Sequence, residues 1–437
     1  MKISVVGLGV EGKKAINSLL NHGYEVYGTD LSLNIPLENI PYIEKHIEEM
    51  EIEEVNNKIA IKTGKLSIDL GVNDVDKILS SDGILISPGL WKSDLAKELK
   101  NSNKLISDIL AKHKNLPTIG ITGTNGKTTT VSMLKEILEK SGKRILIGGN
   151  GGGGFSGYCD LILNAEENQY DLMIVEVCDM TLDFSDYFFD FNIIGLTNIG
   201  DDHMNVHGSI HQYERSLLKF FKNKNIFINI DEKFEDEVEN IVKEIHFYKE
   251  SNVNLKTFGK FNFLNAGLAT SIAKYLNIDN NVIEKSLENF DEVEGRLKIV
   301  ELKNSKVFIG KTDNSHAIES ILKEIKDLDI VFIGTSRDKE THRLNIFNSV
   351  IKYNPKQIIL FKGLSGSFTL SLNRLKSLKY KGKIILSNSK KETLDLVLKF
   401  DKNGNKKKNN IFIGGNGQEI IIEIQKALIT YGDMIDP

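Results

Sequence analysis

Short apolar runs rich in valine and isoleucine alternate with amphipathic stretches along almost the whole chain, and this pattern limits the possible folds most strongly. Such runs are typical of buried strands in parallel sheets, and the amphipathic stretches between them are typical of crossover helices. A chain of 437 residues is also too long for one ordinary hydrophobic core. Length alone therefore allows two or three domains. Three successive sets of apolar runs predict an α/β fold with three, comprising residues 1–114, 115–294 and 295–437.

The apolar runs predict the strands of each domain. In the first domain they are Ile3–Val6, Glu25–Gly28 and Gly83–Ile86, and in the second Ile119–Thr122, Met173–Val177 and Ile193–Thr197. In the third they are Val307–Ile309, Ile330–Ile333, Gln357–Phe361, Lys383–Leu386 and Asn410–Ile413. Candidate linkers are His113–Pro117 and Glu292–Gly295, and the glycine cluster Gly148–Gly154 is expected to form a loop near a ligand.

Composition excludes several classes of protein. Hydrophobic residues make up 40% of the chain and charged residues 27%, which is typical of a globular protein. The formal net charge of −4 gives no reason to expect a nucleic acid as partner. Two cysteines, Cys159 and Cys178, are too few for a disulfide framework. With neither a signal peptide nor an apolar run of the roughly 18 residues that span a bilayer, we expect a soluble, monomeric cytoplasmic protein with no membrane partner.

The strongest local motif is GITGTNGKTT, at Gly120–Thr129. It follows a predicted strand and opens a predicted helix, Thr130–Lys140, and main-chain N–H groups at a helix N-terminus favour phosphate. Lys127 can reach the β- and γ-phosphates of ATP, and the Thr128 hydroxyl can bind Mg²⁺. The predicted ATP-binding residues of this loop are Gly123, Thr124, Asn125, Gly126, Lys127, Thr128 and Thr129.

The loop resembles that of the Mur ligase family, which also includes the folylpolyglutamate synthetases. In IVEVCD, Glu176 stands where the family has a magnesium-binding glutamate, and in LTNIGDDHMNVHG the residues Asp202 and His203 match an Asp-His pair. The resemblance implies three catalytic residues, Lys127, Glu176 and His203, and two magnesium ions, one bound by Thr128 and a second held near the γ-phosphate by Glu176 and His203. It also implies a central P-loop ATPase domain between two Rossmann-like domains.

Later motifs extend the resemblance to the rest of the ATP site. FNFLNAG is similar to the family's adenine segment HNxxNA, with Phe261 in place of the histidine. VEGRL provides an arginine expected to reach ATP, and DNSH opens the last domain where many relatives have Asp-x-Ala-His. The resemblance assigns ATP binding to Asn262, Asn265, Arg296 and Asp313, and places His316 on the side of the incoming amine. Asp313 would bind the ribose or orient Arg296, and it could cap a helix as well as, or instead of, doing so.

Two departures from the family pattern affect the chemistry. Many relatives carry a carbamylated lysine four residues after a tyrosine, but here Tyr213 is followed at that spacing by Leu217. Lys219 lies nearby but is expected to face elsewhere on its helix, so we predict no carbamate. The segment SNSKKE, at Ser387–Glu392, lacks the arginine of ligases that select diaminopimelate. We therefore predict that the added amino acid is not diaminopimelate. Asn416, where many relatives have a glycine, is a second sign of an altered substrate.

The first domain begins with GLGVEG, and Asp30 ends the next strand. This pattern is a dinucleotide fingerprint, for which NAD would be the first interpretation in an isolated domain. The loop resembles the one that holds uridine diphosphate in Mur ligases of the muramate–alanine and D-glutamate types. The segment Ser87–Gly89 also resembles the Ser-Pro-Gly segment of the D-glutamate ligases. The predicted substrate-binding residues are therefore Gly7, Gly9, Gly12, Asp30, Ser87, Gly89 and His316. Asp30 could accept ribose hydroxyls or cap a turn.

The leading hypothesis from this resemblance is an ATP- and Mg²⁺-dependent amide ligase. It would add a free amino acid to a UDP-linked precursor of murein or pseudomurein. One alternative keeps the activation of a carboxylate but places it in cofactor biosynthesis, for example in folate polyglutamylation. Another is an NAD-dependent dehydrogenase with an accessory ATPase. The sequence identifies neither the amino acid nor the precursor.

Overall fold

The computed structural model describes residues 1–37, 40–200, 202, 204–234, 238–402 and 408–435. Within these residues, three six-stranded sheets follow one another along the chain. Most neighbouring strands are parallel and are joined through helices, which confirms the predicted α/β fold class. The proposed domain boundaries, after residues 114 and 294, fall between the sheets. None of the described helices is long and apolar enough to span a bilayer.

The N-terminal sheet has the strand order β3-β4-β5-β2-β1-β6. The pairs β1–β2, β1–β6 and β2–β5 are parallel, whereas β3, β4 and β5 form an antiparallel meander that the sequence did not predict. The strands are β1 (Lys2–Val6), β2 (Glu25–Asp30), β3 (Glu51–Val55), β4 (Lys58–Thr63), β5 (Leu66–Leu70) and β6 (Gly83–Ile86). The helices are α1 (Val10–Asn21), α2 (Pro41–Lys45), α3 (Val75–Leu79), α4 (Asp94–Lys100) and α5 (Ile106–Ile109).

The central sheet is fully parallel, in the order β12-β11-β10-β7-β9-β8. Its strands are β7 (Thr118–Thr122), β8 (Ile145–Gly149), β9 (Leu172–Glu176), β10 (Phe191–Leu196), β11 (Asn225–Asn229) and β12 (Glu244–Tyr248). Its helices are α6 (Lys127–Lys140), α7 (Tyr158–Glu167), α8 (Leu182–Phe188), α9 (Met204–His207), α10 (Ile210–Phe221), α11 (Phe261–Tyr275) and α12 (Asn280–Glu288). The carboxyl ends of β7, β9 and β10 therefore lie side by side, where ligands of open α/β sheets bind.

The C-terminal sheet has the order β13-β14-β18-β15-β16-β17, with only β13 antiparallel to its neighbour. Its strands are β13 (Lys298–Glu301), β14 (Ser305–Ile309), β15 (Leu328–Gly334), β16 (Gln357–Phe361), β17 (Lys383–Ser387) and β18 (Asn409–Gly415). Its helices are α13 (Ser315–Leu322), α14 (Ile346–Lys352), α15 (Thr369–Ser377), α16 (Lys390–Lys402) and α17 (Gln418–Ile435).

The N-terminal sheet and one face of the central sheet share a continuous apolar core. Trp91, which follows β6, packs edge-on against Phe184 and Phe188 of α8, with ring centroids 5.3 and 5.6 Å apart. The other face of the central sheet and the two faces of the C-terminal sheet have cores of their own. Because burial of aromatic area dominates core energetics, the shared core fixes the first domain against the second.

Candidate active site

The phosphate loop connects β7 to α6 in a conformation that requires glycine. Gly123 and Gly126 have φ angles of +121° and +88°, which side chains with a Cβ atom rarely adopt. A Cβ atom at Gly123 would lie 2.3 Å from the Thr197 hydroxyl oxygen, and one at Gly126 would lie 2.2 Å from Oδ1 of Asn265. Helix α6 begins at Lys127, earlier than predicted, because Gly126 already supplies its N-cap. The loop is thus shaped by its glycines.

Lys127 folds back over the loop. Its Nζ donates to the carbonyl oxygens of Gly123 and Thr124, at 2.6 and 2.9 Å. Asn198, which follows β10, braces the same loop: its Oδ1 accepts from the Asn125 N–H at 3.1 Å, and its Nδ2 donates to the Asn125 carbonyl at 2.9 Å. Asn198 was not predicted, because an asparagine two residues beyond a strand has no distinctive sequence signal.

Glu176 ends β9, beside β7, and its side chain is buried among polar groups. Its Oε2 accepts from the Thr128 hydroxyl at 2.7 Å, and its Oε1 accepts from Nδ2 of Asn150 at 2.9 Å. A carboxylate and a hydroxyl at this distance form a set of hard oxygen donors that suits Mg²⁺. The structure therefore brings together Thr128 and Glu176, both of which were predicted as magnesium ligands. It adds Asn150 as a hydrogen-bond donor to Glu176.

The glycine cluster was predicted to be a loop, but its first two glycines end β8. Gly151–Gly153 then form one turn of 3₁₀ helix, which we call the glycine turn. A Cβ atom at Gly153 would lie 2.1 Å from Oε1 of Glu176, so no larger residue fits there without moving the carboxylate. The turn therefore packs directly on Glu176.

Arg296 extends from the C-terminal domain into this same region. Its Nη2 donates to the Thr128 hydroxyl and, at 2.8 Å, to the carbonyl of Gly153. The Thr128 hydroxyl thus accepts from Arg296 while it donates to Glu176, and a guanidinium is suited to such forked contacts. Arg296 thus links the C-terminal domain to the phosphate loop, and its role in ATP binding stays a prediction.

The Asp-His pair is described only in part. His203 lies outside the described residues. Asp202 is buried, and its Oδ2 accepts from Nδ2 of Asn314 at 3.1 Å. Nearby, Nε2 of His207 lies 2.9 Å from Oδ2 of Asp179, a buried pair that the sequence did not predict. Over the part of the chain that is described, no three His, Cys, Asp or Glu side chains form a metal-ligating group.

A cavity of about 260 Å³ lies between the phosphate loop and the C-terminal domain. It is lined by Phe261, Asn262 and Asn265 of α11, and by His316 of α13. Asn265 donates from Nδ2 to Oδ1 of Asn262 at 3.1 Å, from inside the helix rather than at its cap. Thr257 also lines the cavity, and among the described residues its buried hydroxyl has no hydrogen-bond partner. The residues predicted for the adenine base therefore share one cavity.

Asp313 forms an ion pair with Arg343, at 2.6 Å between Oδ2 and Nη1, and a longer one with Lys311 at 3.3 Å. The helix-capping role considered for Asp313 belongs instead to Asn314, whose Oδ1 accepts from the Ala317 N–H at 2.8 Å. Asn314 also donates to Oδ1 of Asn125 in the phosphate loop, at 2.9 Å. The ATP-binding role of Asp313 stays a prediction.

In the N-terminal domain, the glycine fingerprint forms a tight turn from β1 into α1. Gly7 has a φ angle of +89°, and a Cβ atom at Gly12 would lie 1.9 Å from the Gly7 carbonyl oxygen. Gly9 is the N-cap of α1 and has open space around it. Asp30 accepts from the N–H groups of Leu8 and Ser32, at 2.7 and 2.8 Å. These contacts favour the turn-stabilising interpretation of Asp30.

The Ser-Pro-Gly segment lies beside this turn, after β6. A Cβ atom at Gly7 would approach that of Ser87 to 2.9 Å, so the two loops are in contact. Gly89 has no neighbouring atom within 4 Å of the position that a Cβ would take. The predicted residues of the uridine diphosphate site thus lie together at the N-terminus of α1, and their role stays a prediction.

The position of the family's carbamylated lysine is apolar. Leu217 and Tyr213 are fully buried on α10. Lys219 faces away, and its Nζ lies 2.8 Å from Oδ1 of Asp183 on the surface.

Burial raises the pKa of the thiol of Cys178, which disfavours a thiolate nucleophile beside Glu176.

A phosphate loop, an acidic residue at the end of the neighbouring strand and an arginine from a third α/β unit meet in one site, an arrangement similar to that of the Mur ligases. Residues 121–258 match the model of the Mur ligase middle domain. The chain is 27% identical over 433 residues to a UDP-N-acetylmuramoylalanine–D-glutamate ligase of Buchnera aphidicola subsp. Schizaphis graminum, covering 91% of this chain and 92% of that one. These matches confirm the resemblance predicted from the motifs.

Two solved structures share the fold. A pseudomurein peptide ligase type C from Methanothermus fervidus aligns with a TM-score of 0.57 and 21% identity, over 98% of this chain and 99% of its own. FolC of Escherichia coli, solved with DHPP and ADP, aligns with a TM-score of 0.58 and 14% identity, over 75% of this chain and 92% of its own. The alignment with the pseudomurein peptide ligase thus shows a shared α/β fold over nearly the full length of this chain.

Proposed function

We propose that this chain is an ATP-dependent amide ligase, which adds an amino acid to a UDP-linked precursor of murein or pseudomurein through an acyl phosphate. The observation that carries the proposal is the contact of Thr128 with both Glu176 and Arg296. It joins the phosphate loop, the acidic strand end and the C-terminal domain in one polar cluster. Such a cluster suits the transfer of a phosphoryl group between substrates held by different domains.

The proposed reaction has two displacements. A carboxylate oxygen of the precursor attacks the γ-phosphorus of ATP, and ADP leaves with the electron pair of the broken P–O bond. The amine of the amino acid then attacks the acyl carbon, phosphate leaves, and the nitrogen loses a proton. Charge develops on the phosphoryl oxygens in the first displacement, so cations placed there in advance lower its barrier.

Residues of the described site suit that demand. Lys127 is the cation of the phosphate loop, and Arg296 approaches from the opposite domain. Thr128 and Glu176 would hold Mg²⁺, with His203 as a further ligand. When bound, the metal would neutralise charge between the β- and γ-phosphates. Asn262, Asn265 and Thr257 would surround the base, and Asp313 would lie towards the ribose.

The N-terminal domain would hold the nucleotide end of the precursor. Its glycine loop offers main-chain N–H groups at the start of α1, a setting that suits a diphosphate. A dehydrogenase would need a proton-transfer residue beside a nicotinamide, but the adjoining domain carries a phosphate loop instead. The D-glutamate ligase relative, named for a UDP-linked substrate, aligns across this domain as well. Both points favour a uridine nucleotide over NAD.

Folate polyglutamylation remains the second candidate, since the FolC structure has a comparable TM-score. That alignment covers 75% of this chain, whereas the pseudomurein ligase alignment covers 98%. Measuring ADP release with panels of amino acids, UDP-linked precursors and folates separates the two. We expect release that depends on both an amino acid and a UDP-linked precursor. Release with folate and glutamate alone would contradict the proposal.

A further inference from the structure

Helix α1 carries a row of polar side chains that contacts the central domain. The row has helical spacing, so its members share one face of α1. The contacts run from the start of the helix to its end: Glu11 accepts from the Gly151 N–H, Lys14 donates to the carbonyls of Gly151 (3.0 Å) and Phe155, Ser18 donates to Asp160 (2.9 Å), and Nδ1 of His22 lies 2.7 Å from Glu167. We call this row the α1 seam.

The two ends of the seam differ in burial. Burial raises the pKa of Glu11, although hydrogen bonds from the backbone N–H groups of Gly151 and Tyr158 oppose the shift. Desolvation lowers the pKa of Lys14. At the other end, the Glu167 side chain is 52% exposed, and an exposed pair of this kind contributes little. The buried end of the seam, formed by Glu11 and Lys14, is therefore the part whose contacts depend on exact geometry.

Glu11 and Lys14, at the buried end of the seam, contact one side of the glycine turn. The other side of the turn packs on Glu176. Glu11 and Lys14 bind the N–H and the carbonyl of Gly151. One residue earlier, Asn150 bonds Glu176 through its side chain and its own N–H, and two residues later the Gly153 carbonyl accepts from Arg296. A Cβ atom at Gly151 would lie 2.7 Å from Oε1 of Glu11. The glycine turn is therefore held by direct contacts on both sides, from α1 and from Glu176 and Arg296.

The same first turn of α1 carries the proposed diphosphate site. Glu11 lies between Gly9 and Gly12, so its main chain belongs to the glycine loop while its side chain reaches the central domain. A ligand that orders the start of α1 would thereby also order Glu11 and Lys14. In a packed interface, such a change is passed on as a discrete shift of the groups in contact.

We propose that Glu11 and Lys14 are positioning residues, which couple nucleotide binding at the start of α1 to the geometry of Glu176 and Arg296 through the glycine turn. This inference rests on the proposed function, because it takes the α1 loop as the nucleotide site. Its consequence is that UDP and magnesium nucleotide bind cooperatively. Coupling between sites is reciprocal and commonly amounts to about 5- to 150-fold in affinity.

Calorimetry with UDP and Mg·ADP as the two probes tests the coupling. In the wild type we expect saturating UDP to tighten Mg·ADP binding at least about five-fold. In Glu11→Ala and Lys14→Met each probe should still bind alone, but the coupling should fall to within about two-fold of none. Glu11→Gln keeps an acceptor for the Gly151 N–H and should retain part of the coupling. His22→Ala, at the exposed end of the seam, should retain all of it.

Several outcomes would overturn the proposal. Wild-type coupling in both Glu11→Ala and Lys14→Met would contradict it while leaving the proposed function intact. Independent binding of the two probes to the wild type would do the same. Failure of the wild type to bind UDP would contradict the nucleotide site itself, and with it the proposed function. If Glu11→Ala fails to fold, as judged by its thermal unfolding, Lys14→Met alone decides, because it removes the other half of the grip on Gly151.

Discussion

Gly153→Ala should impair the metal site without strain in the backbone. The φ angle of Gly153 is not positive, so alanine can adopt the same backbone conformation. Its new Cβ atom, however, would lie 2.1 Å from Oε1 and 2.9 Å from Cδ of Glu176. Contacts this short force the carboxylate to move, because real Cβ atoms stay at least 3.0 Å from such neighbours.

The magnitude follows from what holds Glu176. Its two oxygens accept from Thr128 at 2.7 Å and from Asn150 at 2.9 Å, and the side chain has 1% exposure, so it cannot move without disturbing these bonds. A hydrogen bond to a charged group contributes about 1.5–3 kcal/mol. Loss of one such bond corresponds to a decrease of roughly 10- to 150-fold in kcat/KM or in apparent Mg²⁺ affinity.

The assay is ADP release as a function of Mg²⁺ concentration, with thermal unfolding measured in parallel. Gly152→Ala is the matched control, since it adds the same methyl group to the same turn. The nearest atom to its Cβ would be Oδ1 of Asn150 at 3.3 Å, a contact that a small shift relieves. We expect Gly152→Ala to stay within about three-fold of the wild type. Equal Mg²⁺ dependence in the two variants would refute the reasoning about Glu176.

Three further predictions concern the nucleotide site and the metal. Lys127→Ala should abolish ATP turnover while the thermal unfolding midpoint changes little, because it removes several kcal/mol, on the order of 3–4, of charge stabilisation in the transition state. Bicarbonate should not stimulate ADP release, because the buried Leu217 cannot form a carbamate. Thr257→Val should weaken ADP binding about 5- to 10-fold in calorimetry, because its buried hydroxyl lines the base cavity and would pair with the base.

Each of these predictions has a clear contrary result. Lys127→Ala with wild-type ADP release would contradict the phosphate-loop assignment. Stimulation by bicarbonate, or density for a carbamylated lysine beside the metal, would contradict the interpretation of Leu217. Unchanged ADP affinity in Thr257→Val would show that this hydroxyl does not hydrogen-bond the base. Ser320→Ala is the matched control for Thr257→Val, since Ser320 lines the same cavity but its hydroxyl already donates to the Ala317 carbonyl at 2.8 Å.

The sequence predicted the features that depend on local spacing. The phosphate loop was recognisable because its two glycines, lysine and threonine are contiguous, and Glu176 because it directly follows an apolar strand. Strand β3 was missed because all of its residues are exposed, and Ile52 and Val55 lie in solvent among charged neighbours. A strand with no buried face needs no alternation of apolar and polar residues, so it lacks the pattern by which strands are predicted.

Contacts between domains were beyond local reasoning. The fingerprint Gly7–Gly12 is defined by its glycines, and it gives no signal for the contacts of the Glu11 side chain. Asn150 stands within a glycine cluster, directly after β8, and its bond to Glu176 reaches the end of another strand, β9. Interactions between residues far apart in sequence are set by tertiary packing, which one sequence does not reveal. The glycine spacing predicted a binding loop, but not the side chain that links it to the next domain.

The most direct test of the account uses a precursor whose carboxylate is labelled with ¹⁸O, together with an amino acid that supports ADP release. If the carboxylate attacks the γ-phosphorus, one labelled oxygen must leave with the phosphate when the amine displaces it. Mass spectrometry of the products should therefore find ¹⁸O in inorganic phosphate, in step with amide formation. Amide formation with unlabelled phosphate, or with release of AMP and pyrophosphate, would contradict the acyl-phosphate ligase proposed for this chain.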